Sequence, residues 1–269
     1  MAESSDEGET GDLFDEPEGF YPPEKEPTFV KHQMLNGREL ELRLVGHNPL
    51  WGHHLWNAGR TLADYLESNS NTLVRSKTVL ELGAGAGLPS LICALQGAKQ
   101  VVLTDYPDAD LIENLQYNIE HCPFLAQPPN IRAQGYLWGA PTSTLTSFAS
   151  QSEAAKAEAE AEAEEAHFDI LVLADLLFNH SQHPALLRTV QSTLSHAPGA
   201  QALVFFTPYR PWLLAKDLAF FDLARAGGFV VEKVFEKVME KVMFEEDPGD
   251  ELLRRTVFGY SLRWSETAT

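Results

Sequence analysis

The 269-residue sequence has few cysteines, few basic residues and no long hydrophobic run. Only Cys93 and Cys122 are present, each within a segment predicted to be helical, so a secreted disulfide framework is excluded and a reducing compartment is favoured. The N-terminus is acidic, whereas a signal peptide begins basic and continues apolar, and no segment approaches membrane-spanning length. We therefore expect a soluble intracellular protein and assign it to the cytoplasm.

The sequence is also short of positive charge, with 20 lysines and arginines against 39 acidic residues and a net charge of -19. Residues 1–28 carry a net -9 and residues 153–166 a net -5, so the rest of the chain is only weakly acidic. A nucleic-acid partner would lack the basic surface that it usually needs. The acidity serves solubility or attracts a basic protein substrate, and the sequence leaves both open.

One segment of biased composition precedes the predicted domain, and another interrupts it. Residues 1–28 are rich in Glu, Asp, Ser, Gly and Pro, and they have too little apolar surface to offset the entropy of ordering, which predicts a mostly disordered tail. Residues 153–166 are Ala/Glu-rich without an apolar face, which predicts a solvent-exposed insertion. The rest, residues 29–269, is predicted to form a single domain, which we expect to be monomeric.

Strands and helices alternate along this domain after an N-terminal hairpin. Apolar and polar residues alternate on both sides of Asn36-Gly37, which predicts a β-hairpin over residues 29–45, and a helix follows it. The runs TVLEL, QVVLTD, NIRAQGYLW, HFDILVLADLLF and QALVFFTPY predict strands, and PSLICALQG and ADLIENLQYNIEHC predict helices between them. Two alternating runs, FVVEKVFEKVMEKV and RRTVFGYSLRW, predict an antiparallel pair at the sheet edge. The fold class is therefore α/β, with a mostly parallel sheet and helices on both faces.

A glycine-rich loop follows the first buried strand and opens a helix. In this loop Gly83, Ala84 and Gly85 precede Gly87, and glycines let a backbone turn tightly and approach a ligand without a β-carbon in the way. The dinucleotide fingerprint GxGxxG needs a glycine where Leu88 stands, and a phosphate-binding P-loop needs a Lys-Ser or Lys-Thr that is absent. The loop geometry suits a ligand of the nucleoside type.

A carboxylate at the end of the next strand supports this interpretation. Asp105 closes the run QVVLTD, where it could accept hydrogen bonds from both hydroxyls of a ribose. The alternative role for Asp105 is to cap the following helix, a position for which Asp108 is better placed. We predict that Asp105 binds the ribose.

The spacing E-x-G-x-G-x-G over residues 81–87 resembles the first motif of the seven-β-strand S-adenosylmethionine methyltransferases. The segments LWNAGRTLADYL, LWG and ADLLF narrow the resemblance to the family-16 protein methyltransferases, over roughly residues 45–265. Within that family LFxEPEGFY, GHNPLWGHHLWNAG, VLTDYPD and ADLLFNHSxH are similar to fungal protein N-terminal and lysine methyltransferases that act on translation elongation factor 1-alpha. The resemblance implies a Rossmann-like sheet of seven strands, S-adenosyl-L-methionine as cofactor and that elongation factor as protein partner.

The same resemblance implies further cofactor contacts. Trp56 and Trp138 would border the cofactor and its adenine, and Ala174 would contribute from the fourth core strand. Both indoles could instead be ordinary core residues, since aromatic side chains dominate protein cores. The sequence departs from the wider family at Phe178, where a tyrosine often follows the strand's Asp-x-x, so a hydroxyl role is not carried over to that position.

Methyl transfer to an amine requires alignment of a nitrogen lone pair with the methyl carbon and loss of the ammonium proton. We predict that Asp175 orients the amine and that Asn179, with His180, lines its approach; their alternative role is capping of the loop and helix. Phe20 and Tyr21 in the acidic tail are predicted to close over a bound peptide.

Three functions remain open at this point. The first is methylation of the N-terminal amine and neighbouring lysine of elongation factor 1-alpha. The second is methylation of a small pyridine such as nicotinamide, and the third is a non-catalytic scaffold that binds S-adenosylmethionine. We predict no metal site, since the histidines lack cysteines or carboxylates at ligand spacing.

Overall fold

The computed structural model describes residues 26–46, 48–49, 51–149 and 167–265. Seven strands form one sheet in the order β5-β4-β3-β6-β7-β9-β8. They are β3 (Thr78–Leu82), β4 (Gln100–Asp105), β5 (Ile131–Gly135), β6 (Ile170–Ala174), β7 (Gln201–Phe206), β8 (Phe229–Val238) and β9 (Thr256–Trp264). Five of them, from β5 to β7 in the sheet order, are parallel, and β9 pairs antiparallel with both β7 and β8. The predicted α/β class, the mostly parallel sheet and the antiparallel C-terminal edge are confirmed.

The chain reverses its direction of progress across the sheet at β3. From β3 it moves through β4 to β5 on one side, then returns to place β6 and β7 on the other. The loops that follow β3 and β6 therefore diverge at the carboxyl edge and leave a crevice between them, which is where open α/β sheets bind ligands.

Helices cover both faces of the sheet. They are α1 (Asn57–Ser68), α2 (Ser70–Leu73), α3 (Leu88–Leu95), α4 (Ala109–Glu120), α5 (Ser143–Ala149), α6 (His183–Thr193), α7 (Leu214–Ala226) and α8 (Glu251–Arg254), with short 3-10 helices at His180–Gln182 and Pro211–Leu213. Residues on alternate positions of a strand face opposite sides, so Val79 joins a core with α1, α3 and α4, while Leu80 and Leu82 join a second core with α5, α6 and α7. The sheet is thus buried on both faces, as its continuous apolar runs predict.

The predicted N-terminal hairpin is present but lies outside the main sheet. Its strands β1 (Thr28–Gln33) and β2 (Glu39–Leu44) pair antiparallel around Gly37, whose φ is +83°. The side chain of Asn118 on α4 accepts a hydrogen bond from the Arg43 N–H at 2.8 Å and donates one to the Arg43 carbonyl at 2.9 Å. The hairpin is therefore fastened to the helix that follows β4.

Two sequence expectations need correction or completion. Cys122 does not lie in a helix, because α4 ends at Glu120; Cys93 does lie in α3, and both thiols are free and buried. Sequence patterns also predicted no boundaries for α6 and α7.

None of the helices in the described parts of the chain is both long and apolar enough to cross a membrane. The predicted insertion at residues 153–166 and most of the acidic tail fall outside the described residues.

Candidate active site

The glycine loop after β3 has positive φ angles, which favour glycine, at Gly83, Gly85 and Gly87. Gly83 has a φ of +63°, and a β-carbon there would come within 2.6 Å of the Leu176 side chain and 3.4 Å of the Trp138 ring. Gly85 has a φ of +56°, but a β-carbon there would meet nothing within 4 Å. The loop is therefore packed against its own protein at Gly83 and open at Gly85, where a ligand can approach the backbone.

Asp105, at the end of β4, holds this loop in place. Its Oδ2 accepts a hydrogen bond from the Gly85 N–H and its Oδ1 accepts one from the Tyr106 N–H, both at 2.7 Å. Burial raises the pKa of this carboxyl above its ordinary value. Each oxygen keeps a lone pair, so the group can still accept ribose hydroxyls. Asp108, as expected, caps α4 by accepting from the Asp110 and Leu111 N–H groups, which leaves Asp105 without a capping role.

Glu81 and Asn118 hold the glycine loop and the start of α3 through hydrogen bonds to the backbone. The fully buried Glu81 carboxyl accepts from the Ser90 N–H at 3.0 Å, which fixes the first turn of α3, and burial raises its pKa to about 8. The Asn118 amide, besides holding the hairpin, donates to the Ala86 carbonyl at 3.0 Å. A buried network therefore joins the hairpin, α4 and the glycine loop.

Besides the crevice at the glycine loop, the site has a second cavity, of about 250 Å³, at the carboxyl ends of β6 and β7. This volume is smaller than the roughly 300–1,000 Å³ of pockets for drug-sized ligands, so it suits a single side chain. Its apolar wall consists mainly of Trp51, Trp56, Phe178, Phe206, Tyr209 and Phe244, and its charged groups are Asp175, Arg210, Asp217 and Asp247. Because β6 pairs with β3, this cavity lies beside the strand that carries the glycine loop.

Three aromatic rings of the cavity wall contact one another. The Trp56 ring centroid is 5.1 Å from that of Tyr209 and 5.9 Å from that of Phe244. Phe244 belongs to the loop between β8 and β9, and the buried Arg254 guanidinium donates to its carbonyl at 2.8 Å. The faces of such rings attract a cation, and their bulk excludes water.

Asp175 follows β6 in a left-handed conformation, with a φ of +54° that is unusual for a residue with a side chain. It accepts hydrogen bonds from the N–H groups of Ala58 and Thr207 at 3.0 and 2.7 Å and from the Tyr209 hydroxyl at 3.4 Å. Burial raises the pKa of Asp175 to about 7, and burial together with the nearby Asp175 raises that of Tyr209 well above its ordinary value. Asp175 thus ties α1 to the end of β7 while lining the cavity.

A third carboxyl, that of Asp217 on α7, reaches the cavity from another direction. Its Oδ1 lies 2.6 Å from His180 Nε2, and it is close enough to Asp175 to raise that group's pKa. Burial raises the pKa of Asp217 as well. Asp175 and Asp217, two of the three carboxyls that line this cavity, therefore have different surroundings.

The structure brings together some predicted site residues and separates others. Gly83, Ala84, Gly85, Asp105 and Trp138 lie at the glycine loop, and Ala174 ends β6 at the crevice. Trp56 lies in the wall of the second cavity, so its predicted cofactor contact stays a prediction. Asn179 begins the 3-10 helix at His180–Gln182, accepts from the Ser181 hydroxyl and is not part of the cavity wall. Tyr21 and Phe20 lie outside the described residues.

Sequence reasoning missed several cavity residues, which are Trp51, Phe206, Thr207, Tyr209, Arg210, Asp217, Phe244 and Asp247. Tyr209 could have been found, because it follows a predicted buried strand at the edge where ligands bind. The hydroxyl that bonds Asp175 comes from Tyr209, while Phe178 lies 44% exposed at the cavity. Across the described ranges, no cluster of three or more His, Cys, Asp or Glu is arranged to hold a metal ion.

The doubly wound sheet, the open glycine loop and the acid after the next strand define the class: a Rossmann-like S-adenosylmethionine-dependent methyltransferase. A family model described as lysine methyltransferase matches residues 35–223, and the chain belongs to that family. The protein N-terminal and lysine N-methyltransferase efm7 of Aspergillus fumigatus is 49% identical over 98% of both chains. The protein of the same name from Schizosaccharomyces pombe is 45% identical over 93% of this chain and 94% of its own.

Solved structures support the fold. The chain resembles Pyrococcus horikoshii TYW2 in complex with MeSAdo, with a TM-score of 0.52 at 15% identity, covering 88% of this chain and 72% of that one. It also resembles a putative SAM-dependent methyltransferase from Streptococcus mutans, with a TM-score of 0.50 at 13% identity, covering 88% and 55%. The protein is an enzyme, and its cofactor is S-adenosyl-L-methionine.

The residues of the glycine loop fit this cofactor. Gly85 leaves open space where the adenosyl group needs to approach, and the Asp105 carboxyl offers acceptors for ribose hydroxyls. When bound, S-adenosylmethionine supplies a methyl group on a positively charged sulfur. Gly83, Ala84, Gly85 and Asp105 would hold it, with Trp138 beside them.

Proposed function

We propose that this enzyme methylates the N-terminal amine and the adjacent lysine of translation elongation factor 1-alpha. The names of the fungal relatives support both kinds of amine, and the resemblance of LFxEPEGFY and ADLLFNHSxH to enzymes acting on that factor supports the target. We further propose that the reaction takes place in the cytoplasm, where the nascent and mature factor would be met.

The observation that carries this proposal is the composition of the second cavity. An amine reaches the enzyme as an ammonium ion, which aromatic faces and carboxylates both attract. The cavity combines the rings of Trp56, Tyr209 and Phe244 with the carboxyls of Asp175 and Asp217, and its strand β6 adjoins β3. A protein amine fits that chemistry, and a narrow cavity admits a side chain or chain end.

The chain's own residues have separable tasks in this proposal. The aromatic wall excludes water and, with the carboxyls, holds the amine as an ammonium ion, which must lose its proton before the nitrogen can act as the nucleophile. Asp175 orients the amine from the end of β6, and Asn179 lies at the start of the following 3-10 helix. Tyr21 is proposed to close over the peptide from the N-terminal tail.

The proposal is tested with the purified full chain, labelled S-adenosylmethionine and recombinant elongation factor 1-alpha. We expect label on the factor, and mass spectrometry should locate it on the N-terminal amine and the neighbouring lysine. A parallel reaction uses a fungal lysate separated into protein and metabolite fractions. Label on another protein would refute the target, and label only on a small pyridine would refute protein methylation altogether.

The contribution of the tail is tested separately. A variant that lacks residues 1–25, and a Tyr21→Ala variant, should both raise the KM for the protein substrate while leaving cofactor affinity unchanged. Unaltered kinetics in both variants would remove Tyr21 from the site.

A further inference from the structure

Asp217 is a cavity carboxyl to which the proposed function assigns attraction of the ammonium but no chemical step. It projects from the first turn of α7 and is 6% exposed, and its side chain lines the same cavity as Asp175. One oxygen, Oδ1, lies 2.6 Å from His180 Nε2. A carboxylate accepts about four hydrogen bonds, so this contact leaves acceptor capacity for a group in the cavity.

Asp175 differs in what surrounds its oxygens. Two backbone N–H groups and the Tyr209 hydroxyl donate to it, so its lone pairs already hold α1 and the end of β7 together. Protonation of Asp175 would weaken these bonds, because they are strongest to the anion. Asp217 carries no comparable set of backbone donors among the described residues.

We propose that Asp217 is the base that takes the proton from the substrate ammonium, and that His180 is the positioning residue that orients its carboxylate. The inference rests on the proposed function, because it requires a substrate that is an amine. In this step the ammonium N–H bond breaks, the proton passes to the free carboxylate oxygen, and Asp217 becomes neutral. The neutral nitrogen keeps the electron pair that then forms the N–C bond, while the pair of the broken C–S bond stays on sulfur.

The charges around Asp217 suit this role. Burial raises its pKa, whereas His180, Arg210 and His183 lower it, and the carboxyl of Asp175 faces it across the cavity. Asp247, from the loop between β8 and β9, lines the same cavity. A base works best when its pKa lies nearer to neutrality than that of a free carboxylate, and burial moves Asp217 in that direction.

The test compares kcat/KM against pH, from 6 to 10, for wild type and Asp217→Asn. General bases contribute roughly 100-fold or more, so we expect about a 100-fold loss near neutral pH. The loss should shrink as pH rises, because a growing fraction of the substrate arrives as free amine and needs no base. Affinity for S-adenosylhomocysteine and the melting temperature should stay close to wild type. Asp222→Asn is the matched control, since Asp222 lies on the same helix, is exposed and pairs with Arg225.

His180 is tested by two variants. His180→Gln retains an N–H donor for Asp217 and should keep most activity, while His180→Ala should lose activity with the same dependence on pH as Asp217→Asn. A loss in Asp217→Asn that is equal at all pH values, or no loss, would overturn the assignment of the base. If the wild-type enzyme methylates an amine on a molecule other than the elongation factor, the proposed function fails. The comparison of kcat/KM against pH for wild type and Asp217→Asn is then made with that amine. A wild type that methylates only a pyridine, which has no ammonium proton, overturns both.

Discussion

The candidate active site has two proposed halves that lie at the same edge of one sheet but are built differently. The cofactor half, at the ends of β3 and β4, consists of backbone: a glycine loop held by the carboxyl of Asp105. The acceptor half, at the ends of β6 and β7, consists of side chains that come from distant parts of the chain, among them Trp56, Tyr209 and Phe244. The cofactor half leaves open space because its glycines lack side chains, whereas the acceptor half is a cavity whose shape is set by the side chains around it.

This difference has a consequence for specificity. A loop that presents backbone can serve any acceptor, because it recognises only the common cofactor. The acceptor cavity depends on rings and charges that single substitutions alter independently. Changes in substrate should therefore arise in the acceptor half without disturbing the cofactor half, and the following variants probe that separation.

The largest effect is expected at Asp105. Asp105→Ala removes the acceptor for the Gly85 N–H and for the ribose, and charged hydrogen bonds of this kind are worth about 1.5–3 kcal/mol each. We expect affinity for S-adenosylhomocysteine to fall by roughly 100-fold or more in calorimetry, with loss of methyl transfer. Asp108→Ala is the control, since it removes only the cap of α4 and should cost about 1 kcal/mol of stability. Undiminished transfer by Asp105→Ala would remove this residue from the site.

The next effect separates the halves at Trp56, which the family resemblance assigns to the cofactor and the geometry places in the acceptor wall. Trp56→Leu keeps apolar volume but removes a ring face, whose attraction for a buried cation is worth about 2 kcal/mol. We expect kcat/KM for the protein substrate to fall by roughly tenfold or more. Affinity for S-adenosylhomocysteine should not change. A weaker affinity for S-adenosylhomocysteine with an unchanged KM for the protein substrate would instead assign Trp56 to the cofactor half.

The fold could be predicted because its central strands, β3, β4, β6 and β7, are buried on both faces and appear as continuous apolar runs. The run QVVLTD coincides with β4, and the pair FVVEKVFEKVMEKV and RRTVFGYSLRW forms the antiparallel edge. The helix α7 lacked a comparable pattern, because both its polar and apolar residues are distributed around the helix and Asp217 itself is buried. A buried acid within a helix interrupts the periodicity by which helices are recognised.

The site was predictable only in its cofactor half. Glycines with positive φ are required by local backbone geometry, so they leave a contiguous motif at Gly83, Gly85 and Gly87. The acceptor half leaves none, because Tyr209 after β7, Asp217 on α7 and Phe244 between β8 and β9 come together only in the folded chain. Nothing local marks Phe244, whose position depends on the Arg254 guanidinium.

A smaller effect tests whether the cofactor half extends to the hairpin. Asn118→Ala leaves the Ala86 carbonyl without its side-chain donor and the Arg43 N–H without its acceptor, which should cost about 1–3 kcal/mol of stability. Melting should drop by roughly 2–4 °C for each kcal/mol in a chain of this size. Because the Ala86 carbonyl belongs to the loop, affinity for S-adenosylhomocysteine should also weaken, by about fivefold.

Asn114→Ala is the matched control for this variant. Asn114 lies on the same helix and bonds Arg43, accepting from its guanidinium Nε at 2.8 Å and donating to its carbonyl at 2.9 Å, whereas the Ala86 carbonyl is bonded by Asn118. It should lower the melting temperature similarly and leave cofactor affinity intact. Equal affinity losses in both variants would show that the hairpin as a whole, and not Asn118, sets the loop.

The smallest effect compares the buried carboxyls of the two halves through the pH dependence of stability. The pKa of Glu81 rises from an ordinary 4.5 to about 8 on folding, so the folded state binds its proton more tightly. The resulting stabilisation is complete below the ordinary pKa and is lost as pH rises through about 8. Asp175 acts with the same sign, over a window that ends near 7.

Glu81→Gln keeps an acceptor for the Ser90 N–H but cannot ionise, so its melting temperature should fall less than that of wild type between pH 5 and pH 9. The difference should reach several degrees, since one pKa unit corresponds to about 1.4 kcal/mol. Asp175, together with Asp105 and Asp217, whose pKa values burial also raises, contributes to the fall that remains, and Asp175→Asn should reduce it. Glu113→Gln, on the exposed face of α4, is the control and should follow wild type. Parallel curves for Glu81→Gln and wild type would mean that Glu81 carries no proton in the folded state, and that other buried carboxyls make folding sensitive to pH.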